Sequence, residues 1–237
     1  IRISFFERIA FEDYDVIHSH MLRPDLYIAF WSIFSRIKTL KVSTIHQESF
    51  KALSIQYNTF LAFVSTFIWN VSFLFFHKVV ALNNVIKDQF WFMPKSRIFL
   101  IGNGIPQLDF YPEISEEDKN VIINFSQKFD CVLGSCCLLI KRKGLDQVIK
   151  ALKFLPNMGF IIIGDGPEEN FLKDLAISEG VFDRCLFLGS RIDGFRYFCF
   201  FDIYMLVSHS EGHPISAIEA CRSGVPIVCS RIDVLVE

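Results

Sequence analysis

The chain has 237 residues, 51% apolar and 15% aromatic, with 27 Phe, a composition that excludes a disordered chain. Its 12 Gly and 8 Pro exclude a collagen-like or low-complexity one, and the length suits one large domain or two small ones. The net charge of −2 leaves no global footprint for nucleic acid, so no nucleic-acid partner is expected.

Charge is unevenly divided. Residues 1–106 carry 11 Lys/Arg against 7 Asp/Glu, and residues 107–237 carry 13 against 19. A basic first half fits an anionic surface such as a membrane leaflet. The cysteines Cys131, Cys136, Cys137, Cys185, Cys199, Cys221 and Cys229 are odd in number and form no CxxC. Most sit in apolar runs, so they read as buried thiols of a reducing compartment, and no Cys/His spacing fits a zinc finger or ribbon. The expected location is cytoplasmic, peripheral at the inner face of the membrane.

In chain order, DVIHSH (15–20) reads as a strand, followed by a helix over 24–37. KVSTIH (41–46) is a second strand, and a long helix follows over 54–76. Its segment from Phe60 to Phe76 carries no charge. As a helix it reaches about 26 Å against a hydrocarbon core of about 30 Å, which favours a buried or membrane-grazing helix over a span. KVVAL (78–82) and RIFLIGNGI (97–105) read as strands around a helical stretch at 84–92. Residues 106–129 hold two Pro and an acidic cluster, and read as a connection between domains with a short helix inside it.

The alternation then restarts. Strands are expected at 131–139, 160–167, 185–190, 201–208 and 226–230, with helices at 144–152, 168–179 and 214–222. Strands separated by helices at this spacing predict parallel α/β sheets. The domains expected are 1–106, a linker over 107–129, and 130–237.

Residues 208–230, SHSEGHPISAIEACRSGVPIVCS, carry the chemistry. A strand ends at Ser208, Pro214 suits the first turn of a helix, and Gly224 suits its end. Glu211 therefore lies in a loop at the C-terminal end of a strand, where open α/β sheets bind ligands and a helix start favours an anion. Glu219 lies about a turn and a half into that helix among apolar neighbours. An isolated E-x7-E is ordinarily a solvated helix Glu beside a loop Glu, but here the surrounding residues add to it. Glu211, Gly212, Glu219, Ala220, Gly224, Pro226 and Ser230 resemble the glutamate motif of retaining nucleotide-sugar glycosyltransferases, in particular glycosyltransferase family 4.

The resemblance extends over nearly the whole chain. KRKGLDQVIKAL (141–152) is similar to the family's phosphate-lysine segment, FIIIGDGP (160–167) to its G-x-G-P turn, and LFLGSRID (186–193) to the loop beside the base. NGI (103–105) and STIHQ (43–47) are similar to its first-domain motifs. The resemblance implies a GT-B fold, two Rossmann-like parallel-sheet domains, both incomplete here: the first without its opening strands and Gly-rich turn, the second without its final helices. It implies that such a stretch alone would be poorly soluble and inactive.

It also implies roles. Glu219 would hold the ribose hydroxyls of the donor nucleotide, and Glu211 would contact the donor sugar. Lys143, with Arg142, would neutralise the leaving diphosphate. Gly212, the amides of His213 and Ile215, the Gly164 and Gly166 turn, and Ile192 would line the donor site. His46 would reach the transferred sugar from the first domain. The donor would be a UDP- or GDP-linked sugar, and the acceptor a glycan or lipid-linked hydroxyl in surface polysaccharide synthesis. No cofactor and no divalent metal are implied. Two departures stand out: Leu138 where the family usually has Arg, and Pro214 where it often has Gly.

Other motifs weigh less. Asp13-Tyr14-Asp15 matches a metal-binding D-x-D but precedes its strand instead of following it. Gly164-x-Gly166 lacks the third Gly of a dinucleotide turn. His18 and His20 alternate on one strand and share a face. The competing readings are a sugar-nucleotide 2-epimerase of the same fold and an inactive nucleotide-sugar-binding remnant.

Overall fold

A computed structural model describes residues 9–34, 38–106 and 113–236. By their contacts these fall into two compact units: residues up to Asn103 with Glu211–His213, and Gly104–Ser210 with Pro214–Val236. Part of the expected connection, residues 107–112, lies outside the described residues, as do 35–37 of the expected first helix.

The first unit runs β1 (Val16–His20), α1 (Leu22–Phe34), β2 (Leu40–Ile45), α2 (Ser49–Gln56), α3 (Thr59–Ser72), β3 (Lys78–Ala81), α4 (Asn84–Asp88) and β4 (Ile98–Leu100). The strands form one parallel sheet in the order β1-β2-β3-β4. Its core is aromatic: Trp69, Phe73, Phe76 and Phe90 are buried with Ile45, Val79 and Ile86, and Phe73 meets Phe90 edge to face at 5.1 Å. His77 is structural, its Nδ1 accepting the Lys41 N–H at 3.0 Å.

The long helix expected over 54–76 is two helices. The break falls at Tyr57–Asn58, where the Asn58 side chain turns back to accept the Leu61 N–H at 2.9 Å and caps α3. An Asn that can bond its own backbone starts helices better than it continues them. Ala62, Trp69 and Ser72 face the core. The opposite face is apolar too and open to solvent: Phe60, Leu61, Phe63, Phe67, Ile68 and Val71 are all exposed. Among the described residues no helix is long and apolar enough to cross a membrane.

A buried carboxylate ties the helices to the sheet. Asp25 of α1 is fully buried and accepts hydrogen bonds from Ser19 Oγ of β1 (2.5 Å), Ser43 Oγ of β2 (2.8 Å) and Trp69 Nε1 of α3 (2.7 Å).

The second unit runs α5 (Glu116–Ser126), β5 (Cys131–Cys136), α6 (Leu145–Leu152), β6 (Met158–Ile163), α7 (Glu169–Ser178), β7 (Cys185–Gly189), β8 (Ile203–Leu206), α8 (Ile215–Arg222), β9 (Ile227–Cys229) and α9 (Asp233–Val236). Its sheet is parallel, in the order β7-β6-β5-β8-β9. Both faces of β6 are covered, so that strand is apolar on both sides, as a strand inside a buried parallel sheet requires. Phe160 and Ile162 of β6 pack with Val148 and Ile149 of α6 and Leu172 of α7. Ile161 and Ile163 pack with Ile122 and Phe125 of α5 and Ala220 of α8.

The cysteines depart from expectation. Cys185 is buried, but Cys199, Cys221 and Cys229 are exposed. Burial pushes the Cys136 and Cys185 thiols up to about 12, which makes them inert.

Candidate active site

The strand order of the second sheet locates its ligand crevice. Successive strands step from β5 to β6 to β7, and then the chain returns to place β8 on the other side of β5. The loops leaving β5 and β8 therefore diverge, and a parallel sheet opens a crevice at the carboxyl ends of such a strand pair. The loop after β5 carries Lys141–Lys143 in a short 3-10 turn that ends on Gly144, whose φ of 64° lets the chain enter α6. The loop after β8 carries SHSEGH.

These two loops are bonded together. Arg142 Nη1 donates to Ser210 O at 2.5 Å, and the His209 N–H donates to Arg142 O at 2.8 Å. Gln147 Nε2 of α6 donates to Val207 O at 2.9 Å. The basic turn is thus held against the residues that lead directly into Glu211. Arg142 acts as a brace between loops and Lys143 lies beside it, both half-buried. Leu138, in the position expected for Arg, is 55% exposed and supplies no charge.

Glu219 lies in the second turn of α8, half-buried, and burial pushes its carboxyl up, with a smaller rise from nearby Asp193 opposed by Arg222. Ile215 opens the same helix and is exposed. Gly164 and Gly166 have φ of 135° and 152°, and a Cβ on either would run into the carbonyl oxygen of Cys137 or Leu139. Their conformation lets the turn after β6 pack on the loop after β5, a bond sealed by Leu139 N–H to Asp165 O at 2.7 Å. Ile192 is 87% exposed on the loop after β7.

The remaining expected site residues group with the first unit. Glu211 and Gly212 are buried and His213 is half-buried. Asn83, which caps α4 through its Oδ1, donates from Nδ2 to Gly212 O at 2.5 Å, and Asn103 Nδ2 donates to His213 O at 2.8 Å. A Cβ on Gly212 would collide with the carbonyl of His46, which accounts for glycine at that position. His46 follows β2, and its Nε2 shares a hydrogen bond of 2.8 Å with His20 Nδ1. The His18 and His20 rings lie 4.4 Å apart, tilted by 35°, and burial followed by these two histidines lowers the pKa of His46. The Asp13–Asp15 pair lies before β1, at the amino end of the sheet.

Sequence reasoning missed the partners of these residues. The sequence places His20 with His18 on one face of a strand, but its bond to His46, like that of Asn83 to Gly212, joins residues distant in the chain and leaves no local signal. Asp118 was hidden by a competing role. Ser115 and Asp118 have helix-cap spacing, and Ser115 Oγ does accept the Asp118 N–H at 3.2 Å, yet the Asp118 carboxylate pairs with Arg191.

Residues 122–237 match the family described as Glycosyl transferases group 1. The chain is 29% identical over 225 residues to the O-antigen biosynthesis glycosyltransferase WclY of Escherichia coli, covering 94% of this chain and 63% of that protein. It is 24% identical to the UDP-Gal:alpha-D-GlcNAc-diphosphoundecaprenol alpha-1,3-galactosyltransferase of Escherichia coli, covering 98% and 61%. The Anabaena protein HepE, solved in complex with UDP-glucose, matches with a TM-score of 0.76 at 21% identity, over 94% of this chain and 62% of its own. Sucrose-phosphate synthase from Thermosynechococcus elongatus matches at 0.74 and 17%, over 93% and 57%. The chain thus spans less than two thirds of the length of these relatives. The two Rossmann-like α/β units have the GT-B architecture.

Proposed function

We propose that the protein is a retaining glycosyltransferase of family 4 that moves a sugar from a UDP- or GDP-linked donor to a hydroxyl of a glycan or lipid-linked acceptor. One observation carries this reading. The loop that leads into Glu211 is bonded to the basic turn Lys141–Lys143 at the switch point of the second sheet. A nucleoside diphosphate needs this combination: cations for the diphosphate, and carboxylates for the ribose and sugar hydroxyls. The names of WclY, HepE's ligand and the galactosyltransferase agree with it.

In this reading Lys143 stabilises the charge that develops on the leaving diphosphate, and Arg142 fixes the turn that presents it. The amides at the start of α8 add partial positive charge. Glu219 holds the ribose and Glu211 the sugar, while His46 serves the acceptor side. These protein cations take the role a divalent metal plays elsewhere, so transfer proceeds in EDTA. The apolar outer face of α3 would rest on a membrane where a lipid-linked acceptor resides.

The test is a screen of the full-length protein against UDP- and GDP-sugars, with Glu211→Ala as control. Acceptor-dependent release of the nucleotide diphosphate is expected, and is lost in the variant. Unchanged transfer by Glu211→Ala would refute the site, and isomerisation of the donor without acceptor would favour the epimerase reading. Absence of binding to UDP and GDP would favour the inactive remnant, to which the exposed Leu138 lends weight.

A further inference from the structure

Toward its carboxyl end the first sheet carries a row of three imidazoles. His18 and His20 project from the open face of β1, while Ser19 between them points to the buried face, where its Oγ bonds Asp25. His18 Nε2 shares a hydrogen bond of 2.8 Å with Thr44 Oγ1 of β2. His20 Nδ1 shares one of 2.8 Å with Nε2 of His46, just beyond the end of β2. The ring centres lie 4.4 Å apart from His18 to His20 and 5.1 Å from His20 to His46, so His20 stands between the other two. The backbone around His20 is fixed as well. Ser19 before it is buried, and Met21 after it is held at φ 77°. A side chain in that region is strained, and such strain is kept where it sets the geometry of a site.

Stability does not explain the row. His18 and His20 are exposed and His46 is half-buried, and a hydrogen bond open to solvent adds little to folding. The bond has another consequence. Burial, followed by His20 and His18, lowers the pKa of His46 and favours its neutral ring. A neutral imidazole has one donor and one acceptor nitrogen, and the partner of one decides the role of the other. Among the described residues the His46 side chain makes no other hydrogen bond. With Nε2 committed to His20, its Nδ1 is left open and with a single role.

We propose that His20 is a positioning residue for His46, its bond fixing the tautomer and the direction of the ring so that Nδ1 of His46 addresses the reacting sugar. This rests on the role proposed above for His46 and deepens it. Without a partner the ring turns about its side-chain torsions, and the wrong tautomer offers a lone pair where a proton is needed, or the reverse. His20 removes both freedoms before the substrate arrives, and a misplaced group at a reacting centre costs rate more than binding.

Two variants test this on the full-length protein. His20→Asn places an amide where the Nδ1 edge of the ring stood, and an amide can donate or accept. His20→Ala leaves the His46 ring without its partner. Transfer kinetics are measured with the donor found in the screen above, nucleotide affinity by calorimetry, and the tautomer of His46 from the 15N shifts of its ring at about pH 8, assigned by their loss in His46→Ala. His20→Ala is expected to lower kcat about tenfold or more, with donor KM and nucleotide affinity within about twofold and the melting temperature unchanged. His20→Asn is expected to restore kcat to within about threefold of wild type. The His46 ring should show one tautomer in wild type and His20→Asn, and averaged nitrogens in His20→Ala. A wild-type kcat in His20→Ala, or a His20→Asn as slow as His20→Ala, would overturn the proposal. So would a fall in nucleotide affinity or melting temperature that parallels the fall in rate, or His46 nitrogens that are the same with and without His20. A wild-type protein that transfers from no donor would overturn the transferase reading itself, and the role of His46 with it.

Discussion

Replacing Asp25 probes how the first unit holds together. Asp25→Ala removes the acceptor of three hydrogen bonds in a site closed to water. Ser19 Oγ can turn to Val42 O, 3.5 Å away, but Ser43 Oγ and Trp69 Nε1 lose their acceptor. Each buried donor left unpaired costs about 1–3 kcal/mol, offset in part by no longer burying a charge, so a net loss of about 3 kcal/mol is expected. Asp25→Asn can turn its amide oxygen to Trp69 and its nitrogen to the two hydroxyls, which rotate to accept, so a loss under about 1 kcal/mol is expected.

The assay isolates the unit concerned. Trp31, Trp69 and Trp91 are the three tryptophans of the chain and all lie in the first unit, so urea unfolding followed by tryptophan fluorescence reports it selectively. Burial pushes the Asp25 carboxyl above its ordinary value of 3.8, against the smaller lowering by its three hydrogen bonds. The folded state then holds a proton that the unfolded state has lost. Wild-type stability must fall, relative to Asp25→Asn, as pH rises from the ordinary carboxylate range through the raised value. An Asp25→Ala midpoint equal to wild type, or a wild-type curve that gains on Asp25→Asn with rising pH, would refute the account.

Three further outcomes are expected. Gly166→Ala forces a Cβ into Leu139 O at a φ of 152° and should cost about 2 kcal/mol or more, seen as a lower melting temperature of the second unit. Phe63→Asp with Phe67→Asp places charges on the open face of α3, and should abolish sedimentation with anionic vesicles while leaving the circular-dichroism spectrum unchanged; equal sedimentation would remove α3 as the membrane element. In native protein at pH 8 a thiol reagent should label Cys221 and Cys229, which are exposed, and spare Cys136 and Cys185, whose thiols stand at about 12. Rapid labelling of either of the last two would contradict the burial that raises them.

Periodicity and punctuation in the sequence alone determined the order of elements. Apolar runs of strand length alternate with helical stretches, and Pro and Gly mark their ends, because these signals act within a few residues. They placed the strands and the helix after Pro214, whereas the chemistry expected of the Glu211–Glu219 segment came from its resemblance to a family motif and from no local period. They failed where a side chain competes with the helix it interrupts, as at Asn58, and where burial depends on what lies opposite, as at the exposed Cys221 and Cys229. Only the tertiary structure joined Arg142 to Ser210, His20 to His46, Asp25 to Trp69 and Asp118 to Arg191. The physical reason is the parallel sheet: each strand returns to the same end through a helix, so the loops that meet at its carboxyl edge come from segments far apart in the chain, and no local pattern records which of them will touch.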